Sequence, residues 1–203
     1  MGENLGMTAA EVLAVLDAFR RVGCRFWLEG GWGVDALAGR QTRPHRDVDV
    51  DFDAAYETVV LQQLADLGYS IETDWRPNRV ELAAPGRGWV DLHPLVLDDE
   101  GAARQAALDG GWHEFPTSWF TTGTLQGETV PCVSAEAQRR FRSGYELRQV
   151  DLDDLAELDQ LDRLAHRSER TSLGSGGGPL VQEAELPASQ QAQDQRTGIA
   201  EGT

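Results

Sequence analysis

A run of alternating acidic and apolar residues, DVDVDF from Asp47 to Phe52, constrains this chain more than any other feature of its sequence. Alternation with a period of two predicts a β-strand, because successive side chains of a strand point to opposite faces. The carboxylates therefore share one face, with neighbours about 6.5–7 Å apart at Cα. At that spacing two of them can bind one Mg²⁺, or two ions about 3.5–4 Å apart. The alternative is a solvated strand face, which gives no reason for a row of mutually repelling charges.

A glycine pair, Gly30-Gly31, follows the apolar run Cys24–Leu28, and a short helix is predicted directly after it, from Trp32 to Ala38. Glycine lets the backbone approach a bound oxyanion, and the first N–H groups of a helix have no internal partners. The pair therefore predicts a site for a nucleotide β- or γ-phosphate. A plain strand-to-helix turn is the alternative, but the aspartate strand that follows would place Mg²⁺ against the same phosphates.

A second predicted strand, Trp89–Leu97, has Asp91 and His93 on one face and apolar residues on the other. If this strand lies beside the aspartate strand, Asp91 faces the same way as Asp47 and Asp49. It could then share the metal or accept a proton from an attacking hydroxyl. A carboxylate of ordinary pKa is already ionised at neutral pH, so this role needs no special environment. A solvent-facing strand residue is the alternative for Asp91.

Composition narrows the partners and the compartment. The chain has 203 residues, a net charge of −16 and a pI of about 4.5. This charge argues against nucleic acid as the main partner and suits a cationic small molecule or a nucleotide that brings its metal. Cys24 and Cys132 lie in apolar runs and are predicted to be buried free thiols. There is no signal-peptide pattern and no run of membrane-spanning length, so we expect no membrane association and a cytoplasmic protein. The oligomeric state is left open, and a homodimer is compatible with the sequence.

Capping residues and periodicity predict the remaining elements. From Ser168 onward the chain is rich in Gly, Ser, Gln, Ala and Pro, which predicts a disordered tail. The segment Ala102–Phe120 is hard to read, and within it Gly110–Trp112 and Phe115–Phe120 are interpreted as loops over a cleft. The predicted elements are a helix capped by Thr8, a helix Asp53–Leu67, strands Tyr69–Trp75, Arg79–Ala83 and Glu128–Val133, a helix from Ser134 to about Leu147, and a last helix Leu152–Ala165.

The motif GGWGVDALAGRQTRPHRDVD, from Gly30 to Asp49, resembles the small antibiotic nucleotidyltransferases of the polymerase-β-like superfamily. The glycine pair, the G-R-x-T-R-x-H run and the D-x-D are like those of the aminoglycoside and lincosamide adenylyltransferases. The resemblance extends from about Thr8 to Leu161, and six segments narrow it to the lincosamide branch. These segments are Asp47–Ala54, Asp66–Glu72, Trp75–Leu82, Trp89–Pro94, Val130–Gln138 and Phe141–Leu147.

This resemblance implies an α+β protein with the polymerase-β-like nucleotidyltransferase fold, in which helices pack on a mixed β-sheet and further helices follow at the C-terminus. We expect a nucleotidyltransferase domain over residues 1–133, a C-terminal helical part over 134–167 and the tail over 168–203. The implied reaction transfers AMP, or another nucleoside monophosphate, from a Mg-nucleotide such as ATP to a hydroxyl of a lincosamide. Pyrophosphate is released and the antibiotic is inactivated.

The resemblance also assigns residues. Asp47 and Asp49 match the metal pair, Asp91 matches the third acid as metal ligand and general base, and Gly30 and Gly31 match the phosphate turn. The basic loop would stabilise the leaving pyrophosphate through Arg40, Arg43 or Arg46, with Arg43 and Arg46 taken as nucleotide-binding residues. Asp51 is expected to point past the metal, toward a cationic substrate or nothing, and the roles of His45 and His93 stay open. The expected drug cleft contains four tryptophans, Trp75, Trp89, Trp112 and Trp119, of which one or two would contact the ligand.

Three other functions compete with this interpretation. An aminoglycoside nucleotidyltransferase shares the motif from Gly30 to Asp49, and its drugs also carry amines. A non-catalytic binder of drug or nucleotide is disfavoured, because it has no physical need for three converging carboxylates. A toxin-type nucleotidyltransferase acting on RNA or protein is disfavoured, for RNA, by the low pI.

Overall fold

The structure is a computed structural model that describes residues 6–174, with side chains through residue 168. The helices are α1 (Ala9–Arg21), α2 (Gly30–Ala38), α3 (Glu57–Asp66), α4 (Ala135–Phe141) and α5 (Gln149–Gly174). The strands are β1 (Phe26–Glu29), β2 (Asp47–Asp53), β3 (Ser70–Trp75), β4 (Arg79–Ala84), β5 (Gly88–Leu97), β6 (Ala103–Ala106), β7 (Trp112–Phe115), β8 (Phe120–Leu125) and β9 (Glu128–Val133). Across these residues no helix is both long and apolar enough to cross a membrane.

The strands form one mixed sheet in the order β3-β4-β5-β2-β1-β9-β8. Strand β6 pairs with the C-terminal end of β5, and β7 pairs with β6. The aspartate strand β2 lies at the centre. It pairs in parallel with β5 on one side and antiparallel with β1 on the other. The expected mixed sheet of an α+β protein is therefore confirmed, and so is the expectation that the Asp91 strand lies beside the aspartate strand.

One face of the sheet is covered by α1 and α3 and contains the main apolar core. Val48, Val50 and Phe52 of β2 are fully buried in it, as the alternation predicts. The ring of Phe19 on α1 lies 5.8 Å from the ring of Phe52 and fixes the helix over the strand. Helix α1 begins where its capping residue predicts, because the Glu11 N–H donates to the Thr8 hydroxyl.

The opposite face carries the polar side chains of β2 and β5 and, next to them, a small aromatic cluster. Asp91 and His93 lie on this face of β5, and Leu95 follows in the same register. Leu95 and Phe115 are buried and pack with Trp119 and Phe141. The acidic face of the sheet is therefore bordered by apolar rings, and a pocket there is polar at one end and aromatic at the other.

The segment that was hard to read from the sequence contains a β-hairpin. Strands β6 and β7 pair antiparallel within it, and β6 pairs with the end of β5. Its strands have only four residues and expose polar side chains such as Arg104 and Glu114, so the alternation is too short to be detected. Of the two stretches interpreted as loops, the first begins in the hairpin turn and the second contains a short 3-10 helix, and both border the same cavity.

The C-terminal helices also differ from the predicted ones. Helix α4 is capped by Ser134 as expected but ends at Phe141 rather than near Leu147, because Arg142 leaves the helical conformation and Gly144 has a φ of +91°. Helix α5 continues through Gly174, past the predicted start of the disordered tail at Ser168. The rest of that predicted tail lies outside the described residues. The expectation of two buried free thiols is confirmed for Cys24 and Cys132.

Gly123 of β8 tests the close packing of α2 on the sheet. A Cβ at this position would collide with the backbone of Ala36 in α2. We expect Gly123→Ala to lower the free energy of unfolding by roughly 1–3 kcal/mol, the usual cost of an overpacked site. Thr124→Ala changes an exposed neighbour on the same strand and should cost much less. Equal urea midpoints for the two variants would contradict this account.

Candidate active site

The glycine pair begins helix α2 itself rather than preceding it. Gly30 has a φ of +59°, which only glycine adopts without strain. A Cβ there would also collide with the Asp49 carboxylate, and a Cβ on Gly31 would collide with His45 and the Arg43 guanidinium. The two glycines therefore let an acidic and two basic side chains close over the N-terminus of α2, where free N–H groups favour an anion.

The parallel register of β2 and β5 brings the acids together, since Asp49 lies directly opposite Asp91 and Asp51 opposite His93. Asp49, Asp91 and His93 each offer a ligand atom, and these atoms lie within 4.8 Å of one another. The Asp91 Oδ2 atom is 3.1 Å from Arg79, while its buried Oδ1 atom has no partner among the described residues. Two carboxylates with an unsatisfied oxygen are a donor set that suits a hard divalent cation.

Asp47 lines the same cavity but does not belong to this close group. Its carboxylate is 3.1 Å from the Arg46 Nε atom, and burial and the neighbouring charge of Asp49 raise its pKa. The pKa of Asp49 shifts the other way. Burial raises it, but the neighbouring His93 and the charges of Arg142 and Arg79 outweigh burial and lower it.

His93 and Asp91 both have raised pKa values, for different reasons. Burial lowers the pKa of His93, but Asp49 beside it and the charges of Glu29 and Asp91 raise it to about 9, so the imidazole is cationic at neutral pH. Burial raises the pKa of Asp91 to about 6; His93 opposes that shift and Asp49 adds to it. The expectation of an ordinary pKa for Asp91 is therefore wrong for the metal-free protein, because strand pairing buries the residue.

Asp51 is fully buried beside Glu29 and lines neither the polar nor the aromatic cavity of the acidic face. No N–H donor among the described residues reaches either of its oxygens. Burial raises the pKa of Asp51 to about 8, and burial together with the Asp51 charge raises that of Glu29 well above its usual range. This carboxyl pair therefore holds at least one proton at neutral pH.

The G-R-x-T-R-x-H loop is organised around Asp35 of α2. One oxygen of this fully buried carboxylate accepts from the Thr42 N–H at 2.9 Å and from the Thr42 hydroxyl at 2.5 Å. The other oxygen lies 2.5 Å from His45 Nε2. The His45 ring also packs on Trp32, at 4.6 Å between centroids. His45 thus has a structural role in holding the loop, and its other nitrogen faces Gly31.

The three arginines of this loop take different positions. Arg40 pairs with Glu157 at 2.6 Å and does not line the polar cavity. Arg43 binds Asp154 with both arms of its guanidinium. Arg46 pairs with Asp47 and Glu81 and lies over the Trp89 ring, 4.6 Å from its centroid.

Two cavities meet at the acidic face. The polar cavity has a volume of about 630 Å³ and is lined by every residue predicted for catalysis, metal or nucleotide, namely Gly30, Gly31, Arg43, Arg46, Asp47, Asp49 and Asp91. The aromatic cavity has a volume of about 990 Å³ and is lined by Trp75, Trp112 and Trp119. Trp89 is not in it and instead donates to Glu72. Glu29 and Arg79 line both cavities, so the two are contiguous.

The arrangement can hold an anion at the α2 N-terminus and a cation between carboxylates, with a second molecule in the aromatic cavity. Sequence reasoning assigned no role to several charged residues that line the polar cavity, among them Arg79, Glu81, Arg142 and Asp154. Arg79 and Glu81 alternate along β4 in the same way that identified Asp91 on β5, and Glu81 lies opposite Asp91 in the sheet. That parity was a usable signal, whereas nothing in the local sequence marks Arg142 or Asp154.

A model of the aminoglycoside-2''-adenylyltransferase family matches residues 11–158. The chain belongs to this family. A lincosamide resistance protein of Staphylococcus haemolyticus is 42% identical over 159 residues, which are 78% of this chain and 99% of that protein. A 2''-aminoglycoside nucleotidyltransferase of Escherichia coli is 29% identical over 119 residues, 55% of this chain and 59% of that protein.

The same relationship holds in three dimensions. The crystal structure of the lincosamide antibiotic adenylyltransferase LnuA with lincomycin bound matches with a TM-score of 0.72 at 42% identity, over 77% of this chain and 99% of that one. The predicted nucleotidyltransferase fold and the resemblance to the lincosamide branch are therefore confirmed. The enzyme is a nucleotidyltransferase of the antibiotic-resistance type.

The clash at Gly30 gives a matched test of the nucleotidyltransferase site. Gly30 and Gly39 have similar positive φ values, +59° and +68°, but a Cβ on Gly39 would meet nothing within 4 Å. Each Gly→Ala variant should lose about 1–2 kcal/mol of stability from backbone strain. Only Gly30→Ala should also displace Asp49 and weaken Mg²⁺ binding, measured by calorimetry. Equal Mg²⁺ affinity in the two variants would show that the close approach to Asp49 has no role.

Asp51 predicts an unusual pH dependence of stability. Its pKa is about 8 in the folded enzyme and about 3.9 when unfolded. Between these values only the folded state holds the proton, so this residue's contribution to stability falls as the pH rises. Asp51→Asn removes that loss. In EDTA, its gain in free energy of unfolding should be on the order of 3 kcal/mol larger at pH 8 than at pH 5.5.

Asp109→Asn, on the exposed turn of the β6–β7 hairpin, is the control for this experiment. Its effect on the free energy of unfolding should be the same at both pH values. A gain for Asp51→Asn that does not grow with pH would show that the Asp51 carboxyl is not held protonated.

Proposed function

We propose that this enzyme adenylylates a hydroxyl of a lincosamide antibiotic, using Mg-ATP and releasing pyrophosphate. The observation that supports this most is that the polar cavity, lined by Asp49 and Asp91, is contiguous with the aromatic cavity, lined by His93, and that these three side chains lie close together. A nucleotide in the first cavity and a drug in the second would bring their reacting groups to these side chains. The drug class is proposed from the relative that is 42% identical over nearly its whole length.

The metal site is proposed at Asp47, Asp49 and Asp91. These side chains supply oxygen ligands, which Mg²⁺ prefers to the nitrogen of His93, and Asp91 has a buried oxygen without a partner in the described structure. Bound there, Mg²⁺ would neutralise charge on the triphosphate that otherwise repels a nucleophile. The α2 N-terminus, opened by Gly30 and Gly31, would bind a phosphate in the same cavity.

Asp91 is proposed as the group that orients the drug hydroxyl and accepts its proton. Its Oδ2 atom is held by Arg79, which leaves Oδ1 free for the hydroxyl or a cation. The hydroxyl oxygen then bonds to the α-phosphorus as the bond from that phosphorus to the pyrophosphate oxygen breaks. The proton passes to Asp91, and the pyrophosphate leaves toward the arginines of the polar cavity.

The aromatic cavity suits a drug with an amine and a sugar. Trp75 and Trp112 provide partly exposed ring faces, and each ring already binds an arginine, Arg79 at 4.3 Å and Arg104 at 4.5 Å. Rings of this kind attract cations and cover apolar ring carbons. The substrates are small molecules, so neither nucleic acid nor a membrane is needed. Because ATP is supplied in the cytoplasm, we place the reaction there.

The proposal is tested by incubating the full chain with Mg-ATP and a drug panel that contains lincomycin, clindamycin, kanamycin and tobramycin. Mass spectrometry should show one added nucleotide on the lincosamides only. Nucleotide transfer to the aminoglycosides alone would establish the second candidate, which the family match favours. Transfer to no drug in the presence of either Mg²⁺ or Mn²⁺ would refute both. Replacing ATP by GTP, CTP or UTP then gives the preferred base.

Asp91→Asn separates the proton acceptor from the binding functions. Asparagine keeps the shape and the contact to Arg79 but cannot accept the proton. We expect kcat to fall on the order of 10²–10⁴-fold, with the Kd values of lincomycin and Mg-ATP nearly unchanged. If Asp91 acts chiefly as a metal ligand, Mg²⁺ affinity falls as well and high Mg²⁺ partly restores the rate. Full activity would remove Asp91 from the mechanism.

A further inference from the structure

Asp154 of α5 binds two arginines that line the polar cavity. Its Oδ1 atom is 2.8 Å from Arg43 Nε, and its Oδ2 atom is 3.0 Å from Arg43 Nη2 and 2.5 Å from Arg142 Nη2. The carboxylate is only 2% exposed, and the Arg142 side chain is also buried. We call Arg43 and Arg142 the arginine pair.

The arginine pair has hydrogen-bond donors and positive charge that Asp154 does not satisfy. Arg142 Nη1 donates to the backbone oxygen and the side-chain oxygen of Gln138, but its buried Nε has no partner in the described part of the chain. Two guanidiniums around one carboxylate leave one net positive charge. The guanidinium of Arg43 lies against Gly31, at the N-terminus of α2. This end of the polar cavity is therefore built for an anion.

We propose that Asp154 is a positioning residue that holds Arg43 and Arg142 for the pyrophosphate leaving group of the transfer reaction. This inference rests on the proposed function and extends it to α5, outside the span to which the sequence assigned the nucleotide site. Pyrophosphate gains negative charge as its bond to the α-phosphorus breaks. A guanidinium pair fixed beforehand stabilises that charge without reorganising.

The chain offers a matched control for this proposal. Glu157 lies one turn further along α5 and pairs with Arg40 of the same loop at 2.6 Å, but neither residue lines the polar cavity. Asp154→Asn and Glu157→Gln each remove one carboxylate charge that joins the same helix to the same loop. Only Asp154→Asn should release residues of the cavity.

The readout is the Kd of inorganic pyrophosphate in the presence of Mg²⁺, measured by calorimetry together with the Kd of lincomycin. For Asp154→Asn we expect pyrophosphate to bind on the order of 10- to 100-fold more weakly, because the two guanidiniums are no longer held in place before the ligand binds. The KM for ATP should rise, and lincomycin should bind as in the wild type. A merely structural role would lower the melting temperature and weaken both ligands together. Glu157→Gln should change pyrophosphate affinity by less than about twofold.

Arg142→Met provides a second test if Asp154→Asn folds poorly, because it keeps the pair between Asp154 and Arg43. It should reduce pyrophosphate affinity to a similar degree. Wild-type pyrophosphate affinity in folded Arg142→Met or Asp154→Asn enzyme would overturn the inference, even if the wild type adenylylates lincosamides. Conversely, if the wild type modifies no drug but pyrophosphate binding depends on Asp154, the proposed reaction fails and the anion site remains.

Discussion

The parallel pairing of β2 with β5 is the interaction on which the rest of the site depends. It places Asp49 directly opposite Asp91 on one face of the sheet, next to His93. Carboxylates this close are unstable without nearby positive charge, and the described structure supplies it from several elements. Arg79 contacts Asp91, His93 lies beside Asp49, and Arg142 lowers the pKa of Asp49 through space. A divalent cation bound there would neutralise the same two carboxylates.

The acidic face has a cost that the apolar face must offset. Asp51 is fully buried beside Glu29, this carboxyl pair holds a proton at neutral pH, and no N–H donor in the described residues reaches Asp51. On the other side of β2, three fully buried apolar side chains pack under α1 and α3. The same strand therefore stabilises the fold through one face and concentrates negative charge on the other.

The basic side of the site is assembled from distant parts of the chain. Asp35 holds the loop through Thr42 and His45, while Asp154 of α5 holds Arg43. Because two buried carboxylates bind that loop, Arg43 has a defined position. Arg46, which is more exposed, is held instead by Asp47, Glu81 and the Trp89 ring. The polar cavity thus has an acidic wall from the sheet and a basic wall from the loop and the C-terminal helices.

Much of the fold was accessible from local patterns. Alternation identified β2 and β5, a capping box identified the start of α1, and the glycine pair marked the start of α2, because each depends on neighbouring residues alone. The short hairpin β6–β7 and the end of α4 were missed. Four-residue strands carry too little alternation, and the end of a short helix depends on a few backbone angles.

In the site, too, local patterns predicted some features and tertiary packing decided the others. The sequence by itself determined that Asp47, Asp49 and Asp91 lie on acidic strand faces and that Gly30 and Gly31 precede a basic loop, since strand parity and glycine geometry are local properties. Only the tertiary structure decided that Asp91 lies against Asp49, that Asp51 is buried beside Glu29, and that Arg43 binds Asp154. Strand order, burial and ion pairs across 111 positions arise from how the whole chain packs, and no local pattern contains them.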